Sequence, residues 1–291
     1  MGDVPLSLSN LDKLMYPRAG FTKGHVIDYY TRIAPVLLPH LENRALTLKR
    51  YPNGVEGTFF YEKRCPSHRP AWVNTVSVWS GRNEGYIEFC VCEDLPTVVW
   101  LANLADLELH TPMARAAESE VPTIVAFDLD PGAPATIVEC AQVALDLRRA
   151  FDHFGLQAFA KTSGSKGMQV YVPLNCPGIG YEDTRAFSRG VAQVLERRDP
   201  DRVISDMAKA KRVGKVFVDW SQNDHHKTTV NVYSLRAMER PTVSTPVTWH
   251  EVSDCADGSP LSFAAPDVLE RVQALGDLFK PVQTLQQELP R

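Results

Sequence analysis

The sequence has no uncharged apolar run longer than residues 95–105, well short of the roughly 20 residues a membrane-crossing helix needs, so no membrane partner is expected. It has no excess of positive charge either: 31 Lys and Arg against 35 Asp and Glu give a formal net charge of −4. A basic whole-chain field is therefore excluded, and any nucleic-acid site must be a local basic patch. There is no C-x-x-C pair and no His at zinc-finger spacing among Cys65, Cys90, Cys92, Cys140, Cys176 and Cys255, so neither a zinc module nor a disulfide framework is legible, and reduced thiols are expected. The opening MGDVPLSLSN lacks a basic segment followed by an apolar one, and Leu6 stands where myristoylation needs Ser or Thr. Neither secretion nor lipid anchoring is expected, and the chain reads as cytoplasmic. What is present is an ordinary globular composition, 44% hydrophobic and 23% charged, which rules out collagen, coiled coil and wholesale disorder.

Periodicity predicts a helix over 22–41 with Thr22 as its N-cap and Pro35 and Pro39 set to kink or end it. Strands follow at 44–51 and 57–61, joined by the Pro52-Asn53-Gly54 turn, and at 73–78 and 86–90 around a polar loop, 80–85. A buried helix is expected over 95–109, then a strand at 123–129, a helix from Ala135 and strands at 157–161 and 168–172. A helix over 183–197, a basic loop and a strand at 216–220 come next, and the tail beyond 275 reads as loosely held. No repeat or long polar linker interrupts the chain, which favours one integrated domain over 1–291 with a core at about 8–275.

Ile124-Val125-Ala126-Phe127-Asp128-Leu129-Asp130 is an apolar strand ending in two aspartates at i and i+2. Strand alternation turns both carboxylates to one face, about 7 Å apart at Cα. Like charges held there call for a divalent metal between them, or else one of them caps the following helix. A third carboxylate, Asp219, sits in the apolar strand Val216-Phe217-Val218-Asp219-Trp220, and an isolated charge there needs a metal or an ion pair such as Lys215 or Lys227. Three converging carboxylates would suit two-metal phosphoryl or nucleotidyl transfer. Lys161-Thr162-Ser163-Gly164-Ser165-Lys166-Gly167 is a phosphate cradle of small residues and one lysine, or a plain hairpin turn. It is no Walker A loop, because the spacing is wrong and a strand follows it. Lys209, Lys211, Arg212 and Lys215 crowd the approach to the Asp219 strand, where they could meet a phosphate backbone or simply be solvated. Lys49-Arg50-Tyr51 and Phe59-Phe60-Tyr61 with Lys63-Arg64 interleave cations and aromatics, as single-stranded nucleic-acid binders do, or else place core aromatics on alternating strands.

Taken in order and spacing, Phe-Asp-Leu-Asp-Pro-Gly (127–132), Thr-Ser-Gly-Ser-Lys-Gly (162–167), Gly-Lys-Val-Phe-Val-Asp-Trp-Ser-Gln-Asn (214–223) and Tyr-Ser-Leu-Arg (233–236) resemble the polymerase domain of bacterial ATP-dependent DNA ligase D. That domain belongs to the archaeo-eukaryotic primase superfamily, and the resemblance runs over about 8–275 of a chain with no ligase or phosphoesterase segment. The resemblance implies an α+β fold, a primase-like catalytic core of two facing β-sheets around a central cleft with flanking helices. It implies a template-directed nucleotidyltransferase of nonhomologous end joining or gap filling, with a preference for ribonucleotides and two divalent ions, Mn2+ or Mg2+. Asp128, Asp130 and Asp219 would be the metal ligands, and His110, Ser163, Ser165, Lys166 and Arg236 would hold the incoming NTP or dNTP. Asn10, Lys13 and Lys23 match the family's pocket for a DNA 5′-phosphate, with Lys23 opening a helix whose free N–H groups and dipole would add to it. Phe60 and Tyr61 take the place of a Phe-Phe pair that stacks on the template, Tyr being this chain's departure. Lys209, Lys211, Arg212 and Lys215 would add DNA contacts, loop 80–85 falls where relatives bridge DNA ends, and the partners implied are a Ku-type end-binding protein, a separate DNA ligase and the nucleoid.

Two other readings compete. A haloacid-dehalogenase-like phosphatase shares the strand and Asp-x-Asp but needs Thr or Val where Gly132 stands. A noncatalytic DNA-end-binding module would be expected to lack a metal carboxylate, and all three are here.

Overall fold

A computed structural model describes residues 5–81 and 84–290. Two short strands, β1 (Leu14–Tyr16) and β2 (Phe21–Thr22), lead into helix α1 (Lys23–Leu41). Thr22 caps it as expected: its Oγ1 accepts from the His25 N–H at 3.3 Å, and His25 Nδ1 accepts from the Thr22 N–H at 3.0 Å. Pro35 and Pro39 do not end the helix. Its apolar face, with Val26, Tyr29, Tyr30, Ile33 and Leu37 buried, outweighs the backbone bonds the prolines forfeit.

Strands β3 (Thr47–Arg50) and β4 (Phe60–Glu62) pair, and β5 (Thr75–Ser80) forms a hairpin with β6 (Gly85–Cys90). Residues 82 and 83 of the 80–85 loop lie outside the described residues. Helix α2 (Leu95–Asn103) is shorter than the 95–109 expected, because Ala105 turns the chain at φ 61° and strand β7 (Asp106–Thr111) follows. In β7, Leu107 and Leu109 alternate with Glu108 and His110, a period of two that a helix cannot share. The remaining elements are β8 (Ile124–Pro131), α3 (Ile137–His153), β9 (Phe159–Thr162), β10 (Met168–Pro173), α4 (Tyr181–Arg198), β11 (Val203–Ile204), β12 (Val216–Asp219), β13 (Thr229–Val230), β14 (Pro246–Val247), α5 (Trp249–Ala256), α6 (Ala265–Leu275) and α7 (Pro281–Thr284).

The architecture is α+β, with two principal sheets. The larger has six strands in the order β11-β12-β8-β10-β9-β14, and the smaller four in the order β13-β7-β3-β4. One face of the larger sheet presents Val125, Phe127, Leu129 and Val170 to Cys140, Val143, Ala144 and Leu147 of α3. Alternation sends Asp128 and Asp130 to the opposite face. The smaller sheet packs Leu48, Leu107 and Leu109 with α1 and α2 in a second core. The sheets are tied where Lys161 Nζ of β9 donates to the Val230 carbonyl of β13 at 3.1 Å and the Tyr171 hydroxyl meets Thr229 Oγ1 at 2.6 Å.

Two further expectations are corrected. Cys65 and Cys90 form a disulfide, brought together because Cys65 runs beside the end of β6, where its N–H bonds to the Glu88 carbonyl; their separation of 25 residues carries no motif. The tail is held, not loose: Phe279 is buried, Asn175 Nδ2 donates to the carbonyls of Val282 and Leu285 at 3.0 and 2.9 Å, and Gln287 Nε2 donates to those of Pro173 and Gln157.

Candidate active site

Strand β12 runs antiparallel to β8 in a register that sets Asp219 directly opposite Asp128 and Phe217 opposite Asp130. Directly paired residues share a face, as do residues two apart on one strand, so the three carboxylates emerge together. Enclosure by the protein, then the charge of Asp130, push the Asp128 carboxyl up to about 7, against the hydrogen bond it receives from Gln169. Asp130 is raised too, by desolvation and then by Asp219. The sequence alternatives do not hold: the helix after β8 is capped by Thr136 with Glu139, Lys215 donates to the Pro200 carbonyl, and Asp219 accepts from Ser221 N at 2.9 Å, Ser221 Oγ at 2.6 Å and Gln222 Nε2 at 2.9 Å.

Among the described residues no three His, Cys, Asp or Glu side chains stand close enough together to hold a metal ion. The donors nonetheless fit a hard divalent cation in their chemistry, being carboxylate oxygens on one face, with Asp128 and Asp130 raised by burial and then by neighbouring negative charge that a cation would neutralise. Ser221 takes both lone pairs of Asp219 Oδ1, while Oδ2, which accepts only from Gln222, keeps one for a cation.

The opposite side of the site is built on β7. Glu108 is buried and gathers four side chains and a backbone amide. Its Oε1 accepts from Lys49 Nζ at 3.2 Å, the Tyr51 hydroxyl at 3.2 Å and Ala237 N at 3.1 Å. Its Oε2 meets His110 Nε2 at 3.1 Å and lies 3.3 Å from Arg236 Nε. Burial pushes this carboxyl up, but the His110 bond and the charges of Arg236 and Lys49 outweigh it and hold the group far below the usual carboxylate range. His110 is itself lowered by burial, against the pull of Glu108. Sequence reading missed Glu108 because it placed 95–109 in a helix; the alternation in β7 was the signal available.

Arg236 reaches the other sheet, donating from Nη1 to the Ser163 carbonyl at 2.8 Å. The loop between β9 and β10 is closed by its own hydrogen bonds. Ser163 Oγ accepts from the N–H groups of Ser165 and Gly167, each at 3.2 Å, and Ser163 N donates to the Gly167 carbonyl at 2.9 Å. Gly164 has φ +69°, and a Cβ there would fall 2.6 Å from the Val243 carbonyl carbon. Ser165 and Lys166 at the loop's tip are exposed.

The aromatic segment splits across its strand. Tyr61 stands with Lys49, whose Nζ is 5.6 Å from its ring centroid, and meets His110 at 6.0 Å between ring centroids; Phe60 instead lies 5.3 Å from the Arg50 guanidinium. Phe60 and Tyr61 therefore leave β4 on opposite faces, and Phe59, 6.1 Å from Tyr61, is its face-mate. In the basic loop, Lys211 is paired with Asp206, and Arg212 donates to the Met207 carbonyl while its guanidinium carbon lies 3.6 Å from the Phe217 ring centroid, across the ladder from Asp130. Lys209 is exposed.

Lys13 and Lys23 come together through a backbone bond, Lys23 N to Lys13 O at 2.8 Å, and the charge of Lys13 adds to the desolvation that lowers Lys23. Asn10, at φ 53°, makes the turn that closes on Lys13 N. The helix end does not add free donors as expected. Lys23 N and Gly24 N bond to the carbonyls of Lys13 and Leu11, and His25 N to the Thr22 hydroxyl.

Comparison with known proteins places this arrangement. Residues 22–279 match the family model described as LigD, primase-polymerase domain. The multifunctional non-homologous end joining protein LigD of Mycolicibacterium smegmatis is 39% identical over 277 residues, covering 94% of this chain and 36% of that protein. The bifunctional non-homologous end joining protein LigD of Bacillus subtilis is 33% identical, with 94% and 43% covered. The chain thus spans well under half the length of these relatives. The solved polymerase domain of Mycobacterium tuberculosis ligase D in complex with DNA superposes with a TM-score of 0.90 at 36% identity, covering 97% of this chain and 99% of that one. The chain belongs to the LigD primase-polymerase family, and so to the DNA-directed nucleotidyltransferases. No helix among the described residues is long and apolar enough to cross a membrane.

Proposed function

We propose that the chain, as a single primase-polymerase domain over 1–291, extends a DNA primer strand against a template at gaps and double-strand-break ends that carry a 5′-phosphate, in nonhomologous end joining or gap-filling repair. The observation that carries this reading is the register that faces Asp219 with Asp128 and sets Asp130 two residues along on the same face. These three carboxylates would hold two divalent cations, Mn2+ or Mg2+. Bound there, the ions would lower the pKa of the primer 3′-hydroxyl and neutralise charge developing on the triphosphate. Arg236 and His110, anchored by Glu108, present cationic and hydrogen-bonding groups to the nucleotide, with Ser163, Ser165 and Lys166 from the loop opposite. On this reading Ser163 would stand near the ribose 2′-hydroxyl, and a preference for ribonucleotides is part of the proposal. Arg212, beside Asp130, belongs on this reading with the reacting phosphates, and Lys209, Lys211 and Lys215 with the DNA backbone. Exposed Phe60 and Tyr61 offer stacking surface on the two faces of β4.

Asn10, Lys13 and Lys23 form the 5′-phosphate pocket. A terminal phosphate carries more charge than a phosphodiester, and two lysines held side by side can chelate it at one point. Concentrating affinity there lets a chain of net charge −4 bind a polyanion. A Ku-type protein and a DNA ligase acting in the same repair, in the cytoplasm at the nucleoid, complete the proposal. The test is extension of a gapped duplex with Mn2+ and ribonucleotides. Extension that depends on the metal and is stimulated by the downstream 5′-phosphate supports the reading, and no incorporation on any gapped substrate contradicts it.

A further inference from the structure

The register of the larger sheet produces a continuous cross-strand row. Asp219 of β12 pairs with Asp128 of β8, Asp128 with Gln169 of β10, and Gln169 with Lys161 of β9. All four side chains lie on the face that carries the carboxylates. Lys161 is fully buried, and its ammonium spends its three hydrogens on neutral acceptors: Gln169 Oε1 at 2.5 Å, Ser244 Oγ at 2.6 Å and the Val230 carbonyl at 3.1 Å. An ammonium held in a protein interior without a bonded carboxylate is expensive, and packing alone does not call for one.

What Lys161 does is fix its neighbour. An ammonium only donates, so the Gln169 amide must turn Oε1 toward it. The amide nitrogen is thereby aimed at β8, where Nε2 donates to Asp128 Oδ1 at 3.1 Å. A partner with no donor in place of Lys161 would leave Gln169 Oε1 without its hydrogen bond and free the amide to turn away from Asp128.

We propose that Lys161 and Gln169 form a buried positioning relay that orients Asp128 for divalent-cation binding, Lys161 acting only through Gln169. The proposal rests on the reading of Asp128 as a cation ligand. Neither residue touches the reacting groups, so both are positioning residues, of the kind whose loss weakens a metal site through its ligand.

The test measures Mn2+ binding to the protein without DNA or nucleotide, from the loss of the free-ion electron paramagnetic resonance signal. Gln169→Met and Lys161→Met should each raise the Mn2+ dissociation constant about tenfold. Because the two act in series, the double variant should lose no more than either single one. Binding of a 5′-phosphorylated gapped duplex in chelator should stay within about twofold of native, and raising Mn2+ should restore the maximal extension rate, results that a general loosening of the sheet would not give. Lys161→Gln, which keeps a donor for Gln169 Oε1 without a buried charge, should fold readily and retain near-native Mn2+ affinity. Native Mn2+ affinity in Gln169→Met, additive losses in the double variant, or a tenfold loss in Lys161→Gln would each overturn the relay. An Asp128→Ala control separates the two claims: if it abolishes Mn2+ binding while Gln169→Met binds with native affinity, only the relay fails. If native protein and Asp128→Ala bind Mn2+ alike, the reading beneath it fails as well.

Discussion

Arg236 Nε stands 3.3 Å from Glu108 Oε2, so one buried carboxylate on the smaller sheet anchors the guanidinium that also reaches Ser163 on the larger. Glu108→Ala would leave Lys49, His110 and Arg236 without their shared partner. It should destabilise the fold by about 3–5 kcal/mol and abolish extension. Glu108→Gln, which preserves shape and part of the bonding, should fold but lose nucleotide affinity. Urea unfolding together with nucleotide KM separates the two outcomes.

The 5′-phosphate pocket predicts a conditional effect. Lys13 Nζ is held by Asn53 Oδ1 at 3.3 Å, and Lys23 Nζ donates to the Ser9 carbonyl at 2.7 Å and its hydroxyl at 3.3 Å, so both ammonium groups are fixed with a donor to spare. Removing the downstream phosphate should weaken gapped-DNA binding about tenfold in the native protein and by less than twofold in Lys13→Ala/Lys23→Ala. Fluorescence anisotropy on the two gapped duplexes measures it. Equal affinity of the native protein for both would transfer the DNA grip to the Lys209 region.

Acid sensitivity has an origin away from the site. Burial lowers the His40 imidazole below its ordinary 6.5, against the Asp277 carboxylate 2.9 Å away that favours the charged form. The unfolded chain takes up a proton below about pH 6.5 that the folded chain resists, so stability should fall as pH drops through that value. Urea midpoints at pH 7.5 and 5.5 should differ less in His40→Gln than in the native protein.

Backbone closeness, not conformation, fixes Gly167. A Cβ on it would stand 2.0 Å from the Leu129 carbonyl oxygen, on the strand between the two aspartates. Gly167→Ala should therefore displace β8 from β10, costing about 1–3 kcal/mol and most of the extension activity. Gly190→Ala on the surface of α4, where nothing lies within 4 Å, is the matched control and should be neutral or slightly stabilising.

Much of this was legible in the chain. The Asp128/Asp130 spacing, the lone Asp219 in an apolar strand and the Thr22 cap follow from period and side-chain type, because each is decided within a few residues. Glu108 was lost with a boundary: Leu107 and Leu109 continue the apolar residues of Leu95–Asn103 and were read into the same helix, and only Ala105 at φ 61° separates helix from strand. Lys161 and Gln169 were out of reach for a different reason. Their meaning lies in the register of four strands, and nothing local announces that residues 161, 169, 128 and 219 share a row. The Cys65–Cys90 pairing and the docking of Gln287 depend on long-range contact in the same way.

The central claim is that Asp128 and Asp130 carry the chemistry and not the DNA grip. The direct measurement is Mn2+-dependent extension of a 5′-phosphorylated gapped duplex by native protein, Asp128→Ala and Asp130→Ala, with binding to the same duplex followed in parallel. The account predicts that either substitution abolishes extension while duplex affinity stays within about threefold of native, less than the tenfold that 1.4 kcal/mol would represent. Extension at the native rate by both variants would contradict it.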